Sequence, residues 1–129
     1  MTDPTSLVTG VDFATMATKD FEAAAEFYGT RLGLPCSVRY DRFPGAEYET
    51  GSLTLSVIQS EAMGLDYHVN RNPIALHVDD VAAARAELES RGVEFAGDTL
   101  DTGVCHMAFF FDPDGNGLML HHRYAPRTA

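Results

Sequence analysis

The stretch FFFDPDGNGLMLHH, Phe109 to His122, puts a thioether and two imidazoles after a turn, with no carboxylate beside them. Imidazole titrates near neutral pH and is the commonest metal ligand, so strand histidines suit two chemistries: a metal centre, or acid/base and hydrogen-bonding work on a ligand. His77 and His121 fall on one face of their strands. His106, by alternation, points to the other face, and with His68 and His122 it reads as structural or exposed. A catalytic metal asks for about three converging protein ligands. Glu47, Glu49 or Cys105 could join the two imidazoles, but alternation places only the imidazoles together. Cys105 reads as an inert buried thiol. DPDG faintly echoes a calcium loop, but the later ligands and closing Glu are missing, so Asp112–Asn116 is expected to be a hairpin turn. No P-loop, GxGxxG, GxSxG or HExxH occurs.

The elements that would hold these residues repeat. VDFATMATKDFEAAAEFYGTRLGL, from Val11, and NPIALHVDDVAAARAELESRGVEF, from Asn72, both read as strand, Asp cap, helix, Gly stop and new strand. Asp20 and Asp80 are the predicted N-caps, and Gly33 and Gly92 the stops. Phe21, Ala24, Ala25, Tyr28 and Leu32 keep helical spacing in the first repeat, and Val81, Ala84 and Leu88 in the second. Strands are expected at Cys36–Phe43, Ala46–Thr50 and Ser52–Gln59, then at Val93–Ala96, Val104–Phe111 and Gly117–Tyr124. The chain is thus βαβββ twice, an α+β fold. It forms a single domain over 1–129, with modules at about 7–60 and 72–124. A loop, 61–71, joins them, and the tail 125–129 is expected to fray.

Alternation sorts the strand faces. Leu53, Leu55 and Val57 share one face, as do Ile74, Leu76 and Val78, Ala108 and Phe110, and Leu118 and Leu120; these should pack under the helices. The opposite face collects Phe13, Thr15, Thr54, Ser56, Pro73, Ala75, His77, Cys105, Met107, Phe109, Met119 and His121. Such a mixture of apolar, hydroxyl and imidazole groups suits the lining of a cavity, although Phe13, Met107, Phe109 and Met119 would also suit a core.

Composition narrows the function classes. Nine Lys and Arg against 19 Asp and Glu leave a net charge of −10, which repels nucleic acid and anionic lipid, and no basic stripe offsets it. No apolar run approaches the roughly 20 residues of a membrane span. MTDPTSLVTG lacks a basic segment followed by an apolar one, so no signal peptide is expected. Cys36 and Cys105 make no disulfide framework, and a cytoplasmic setting is expected.

EFYGTRLGL (26–34), IALHVDDVAAARAELESRGVEF (74–95) and FFFDPDGNGLML (109–120), set in two βαβββ modules, resemble the vicinal oxygen chelate superfamily. That superfamily includes glyoxalase I, bleomycin resistance proteins, fosfomycin resistance enzymes and extradiol dioxygenases. The resemblance spans about Leu7 to Tyr124 and implies two modules whose curved mixed sheets surround a central cleft, with a homodimer as the expected assembly. Metal-using members of the family carry a His on the first strand of each module and a Glu on the last. Those positions correspond here to Phe13 and Pro73, and to Thr54 and Met119. None is a metal ligand of the usual kind: Phe and Pro offer no donor, and a thioether is too soft for the divalent ions concerned. The resemblance therefore implies no metal and no cofactor. It points to a small-molecule binder of the bleomycin-resistance type, holding an apolar or aromatic compound with Phe13, Thr15, Thr54, Ser56, His77, Met107, Phe109, Met119 and His121. The alternative is a glyoxalase-, lyase- or dioxygenase-like enzyme with relocated metal ligands, or with His77 or His121 as acid/base catalyst.

Overall fold

Strand, helix and three strands follow one another twice. In the computed structural model, which describes residues 6–127, the first module contains β1 (Phe13–Ala17), α1 (Phe21–Ala25), β2 (Cys36–Arg39), β3 (Gly45–Glu49) and β4 (Thr54–Ile58). The second contains β5 (Ile74–His77), α2 (Val81–Ser90), β6 (Phe95–Asp101), β7 (Cys105–Phe111) and β8 (Gly117–Arg123). Each module makes its own four-stranded sheet, in the orders β1-β4-β3-β2 and β5-β8-β7-β6. β1 runs parallel to β4 and β5 parallel to β8, while the other pairs are antiparallel. The α+β fold of two such modules is the one the repeat implied.

Both predicted caps form. Asp20 Oδ1 accepts from Ala23 N at 3.3 Å, and Asp80 Oδ1 from Ala83 N at 3.0 Å. These bonds satisfy amides that the first helical turn leaves free. α2 then runs for ten residues to a stop at Gly92. The first helix differs: after five α-helical residues it widens into a π-helical segment, Glu26–Arg31. Within it the adjacent Phe27 and Tyr28 are both buried. The two rings meet edge-on at 5.3 Å; Phe27 lies 6.3 Å from Phe110 and Tyr28 stacks 6.0 Å from Tyr48.

One core serves both modules. Met16, Leu55 and Val57 of the first sheet and Ala108, Phe110, Leu118 and Leu120 of the second are buried with Phe21, Phe27, Val81 and Leu88 of the helical segments. Ile74, Leu76 and Val78 pack against them partly buried. The helix-facing set read from alternation is thus the set that packs, except Leu53, which precedes β4 and lines a cavity.

Element ends depart from expectation where side chains turn the chain. β2 stops at Arg39, and beyond it Tyr40 and Phe43 stack at 4.7 Å across a bend. β6 runs on to Asp101 through a break in register between Ala96 and Leu100. The joining loop opens with a 3₁₀ turn, Ser60–Met63. The tail is held at its start, where Ala125 N bonds Val104 O at 3.1 Å; residues 128–129 lie outside the described residues. No helix among the described residues is long and apolar enough to cross a membrane.

The hairpin DPDGN forms the predicted turn, with Gly115 at φ 93°. It also has a second role. Asp112, buried, accepts from Asp114 N, Asn116 N and Asn116 Nδ2 at 2.8–2.9 Å, and from the Tyr28 hydroxyl at 2.7 Å. Fully buried Asn116 reaches Ala17 O at 2.9 Å and accepts from Asn70 N at 2.8 Å. Asp114 accepts from Lys19 N and from the Tyr67 hydroxyl, both at 2.9 Å. One turn therefore bolts β1, the first helix and the joining loop to the second sheet.

Candidate functional site

The predicted site residues lie on the sheet faces turned away from the helices, in two patches. On the first sheet, Phe13, Thr54 and Glu49 stand side by side in one row, and Thr15, Ser56 and Glu47 in the next. On the second sheet, Ala75, Met119 and Phe109 form one row, and His77, His121 and Met107 the next. Pro73 precedes β5. Ser56 and Cys105 are buried, Thr54, Met107, Phe109, Met119 and His121 half-buried, and Thr15 and His77 exposed; Phe13 is 60% exposed. The sheets share no ladder, so within one chain the patches stay on separate sheets. The next alternate residue on β8 beyond His121 is Arg123, paired in register with Cys105. Sequence reasoning left it out of the face, although the same alternation points to it.

The two patches differ in charge. On the first, Glu49 accepts from the Ser37 hydroxyl at 2.5 Å and from the Thr54 hydroxyl at 2.7 Å. These bonds, Ser37's first, hold its carboxyl below the usual range. The Tyr40 phenol donates to Glu47, and this bond is the main cause that pushes its titration up. The hydroxyls of Thr54 and Tyr40 are thus already engaged with carboxylates. On the second patch, His77 Nε2 lies 3.4 Å from Asp79, while His121 and Arg123 face no carboxylate within salt-bridge distance among the described residues. Of the other histidines, His106 lies 3.4 Å from Asp101 and His122 Nδ1 3.1 Å from Val78 O, while His68 is exposed. Cys105 contacts the Thr102 hydroxyl at 3.1 Å.

A metal centre of the family's usual kind does not fit these donors. Phe13, Thr54, Pro73 and Met119, the positions that the resemblance sets for the ligands, carry none of the usual kind, and Glu49, the carboxylate bonded to Thr54, also accepts from Ser37. Among the described residues no three His, Cys, Asp or Glu side chains converge as metal ligands.

A separate cavity of about 370 Å³ lies on the helix side, at the seam between modules. Leu32, Leu34 and Leu53 line it from the first module, and Ile74, Leu76, Leu88 and Leu120 from the second. Of the predicted site residues it takes in only His77. Its charged groups pair with each other, Arg91 Nε lying 3.2 Å from Glu87, and its walls continue the core. Few free polar groups remain there to orient a ligand, so the open sheet faces are the better candidate site.

The comparisons bear on the whole chain. The family model described as Glyoxalase/Bleomycin resistance protein/Dioxygenase superfamily matches residues 10–120. No curated protein matches the chain. Among solved structures, the chain is similar to TnmS3, an antibiotic binding protein from a Streptomyces species, at 23% identity, covering 92% of this chain and 98% of that one with a TM-score of 0.76. It is also similar to a glyoxalase/bleomycin resistance protein/dioxygenase from Nocardioides, at 21% identity, 97% and 93% coverage and a TM-score of 0.74. A lactoylglutathione lyase from Agrobacterium tumefaciens superposes with a TM-score of 0.76 at 14% identity, covering 88% of this chain and 93% of that one. With two βαβββ modules, caps and turn at the expected residues and a family match over most of its length, the chain belongs to the glyoxalase/bleomycin resistance protein/dioxygenase superfamily.

Proposed function

We propose that the protein is a cytoplasmic small-molecule binder of the bleomycin-resistance type, which sequesters an apolar or aromatic compound without a metal. The observation that carries this reading is the character of the sheet faces turned away from the helices: Phe13, Met107, Phe109 and Met119 interleaved with Thr15, Ser56, His77 and His121. Aromatic and thioether groups suit a flat apolar ligand, and the hydroxyls and imidazoles give it orientation. The likeness to TnmS3, an antibiotic binding protein, is in keeping with this reading, and the lack of usual metal ligands at Phe13, Thr54, Pro73 and Met119 supports it over metal chemistry. The homodimer belongs to the same reading. β1 and β5 each pair on one side only, and the two patches are open in a single chain. A second copy, meeting these edges, would enclose the ligand.

A second reading, acid/base catalysis, is favoured by one observation: His77 and His121 are in register on adjacent strands. A compound library screened by thermal shift, with and without divalent ions, separates the readings. A ligand at 100 times its Kd stabilises by about 2.7 kcal/mol, which is readily seen. Metal-independent shifts with recovery of the unaltered compound support the binder. Conversion of the compound supports the enzyme.

A further inference from the structure

We infer that Arg123 is the specificity determinant of this site, and that the ligand is an aromatic or apolar molecule carrying an anionic group, a carboxylate, sulfonate or ionised phenol. The inference rests on the proposed binding role of the open sheet faces and names the ligand class for it.

Arg123 ends β8, on the face that carries Met119 and His121. Its surroundings set it apart from the other partly buried arginines among the described residues, Arg31 and Arg85, which lie 3.2 and 3.4 Å from a glutamate. Arg123 is half-buried, has no carboxylate within 4.0 Å among the described residues, and its buried Nε has no acceptor. Its one hydrogen bond is long, from Nη2 to Pro126 O at 3.5 Å. Solvation does not satisfy a buried guanidinium nitrogen, and a protein with ten excess negative charges has carboxylates to spare for pairing. A planar guanidinium binds an oxyanion through paired, charge-assisted bonds that an ammonium cannot reproduce. Phe109 and Met119 lie in one row of this face and His121 in the next, so an aromatic frame laid over them reaches toward Arg123 with its acidic end.

The test uses two fluorescent compounds with one aromatic frame: anilinonaphthalene sulfonate and its neutral parent, phenylnaphthylamine. The wild-type protein is expected to bind the sulfonate at least about tenfold more tightly, a difference of about 1.4 kcal/mol. Arg123→Gln should abolish that preference while leaving the neutral compound within about twofold, and Arg123→Lys should restore part of it. Phe109→Ala should weaken both compounds, which locates them on this face. Equal binding of both compounds by the wild type, or a preference that survives Arg123→Gln, would overturn the inference and leave the binder reading standing. A preference lost only together with the fold, as read by melting, and unchanged in Arg123→Lys would assign Arg123 to holding the tail and overturn it also. Binding of neither compound to the wild type overturns both readings.

Discussion

The hydroxyl of Tyr28 donates to Asp112 Oδ2 at 2.7 Å, joining the first helical segment to the last hairpin across 84 residues of sequence. Both groups are buried, so neither can exchange this bond for one to water. Tyr28→Phe keeps the ring and its stacking on Tyr48 but leaves one acceptor site of a buried carboxylate unfilled. A loss of about 1–3 kcal/mol is expected, read as a lowered denaturant midpoint with unchanged slope. A midpoint equal to the wild type's would show that water reaches Asp112.

The same bond sets an alkaline limit. Burial first, and then the negative charge of Asp112, push the Tyr28 phenol well above its ordinary 10.0. A group whose proton is held more tightly in the folded state contributes stability that is complete below its unfolded value and is lost as pH rises past it. Stability should therefore hold up to about pH 9 and fall above about pH 10. Tyr28→Phe should make that fall shallower. Identical alkaline profiles for the two proteins would remove Tyr28 as the cause.

Gly115 sits at φ 93°, and a side chain there would meet nothing closer than Val69 Cγ1 at 3.8 Å. Any penalty is therefore one of backbone conformation and not of space. Gly115→Val should cost about 1–3 kcal/mol.

Met119→Glu separates a wet binding face from a core. Met119 is half-buried on the face away from the helices, so the fold should survive with a melting temperature close to the wild type's. Phe13 and Pro73 still donate nothing, so the new carboxylate completes no metal site. Affinity for neutral aromatic compounds should drop, because the charge must be desolvated. Unfolding of the variant at room temperature would place Met119 in a dry core.

The protein should purify without stoichiometric zinc, nickel, iron or manganese. Elemental analysis finding about one such ion per chain, lost on changing His77 or His121, would replace the binder reading with a metal enzyme.

What was legible in the sequence was local. Asp20 and Asp80 are followed by helical spacing, and period-two alternation fixes which face Leu55 or Phe110 presents, because a strand has only two faces. The π-helical segment was not legible: its buried residues Phe27 and Tyr28 meet Phe110 and Asp112, contacts that no window of the first module contains. β6 was read too short because GDTLD has turn composition, yet the strand continues past its break in register. Alternation does extend to Arg123, but its state depends on which acids lie near it in space. The seam cavity likewise depends on how two modules dock, and neither module's sequence encodes that alone.

Asn116 touches three separate stretches: its own turn, where Asp112 links on to Tyr28, Ala17 at the end of β1, and Asn70 in the joining loop. The modules therefore cannot melt one after the other. Opening either one strands a buried amide or carboxylate belonging to its neighbour, so the cheapest large opening is the global one. Slow-exchanging amides of β1 and β8 should share a single protection free energy, and a gene cut at the joining loop should yield two fragments that fold only when mixed.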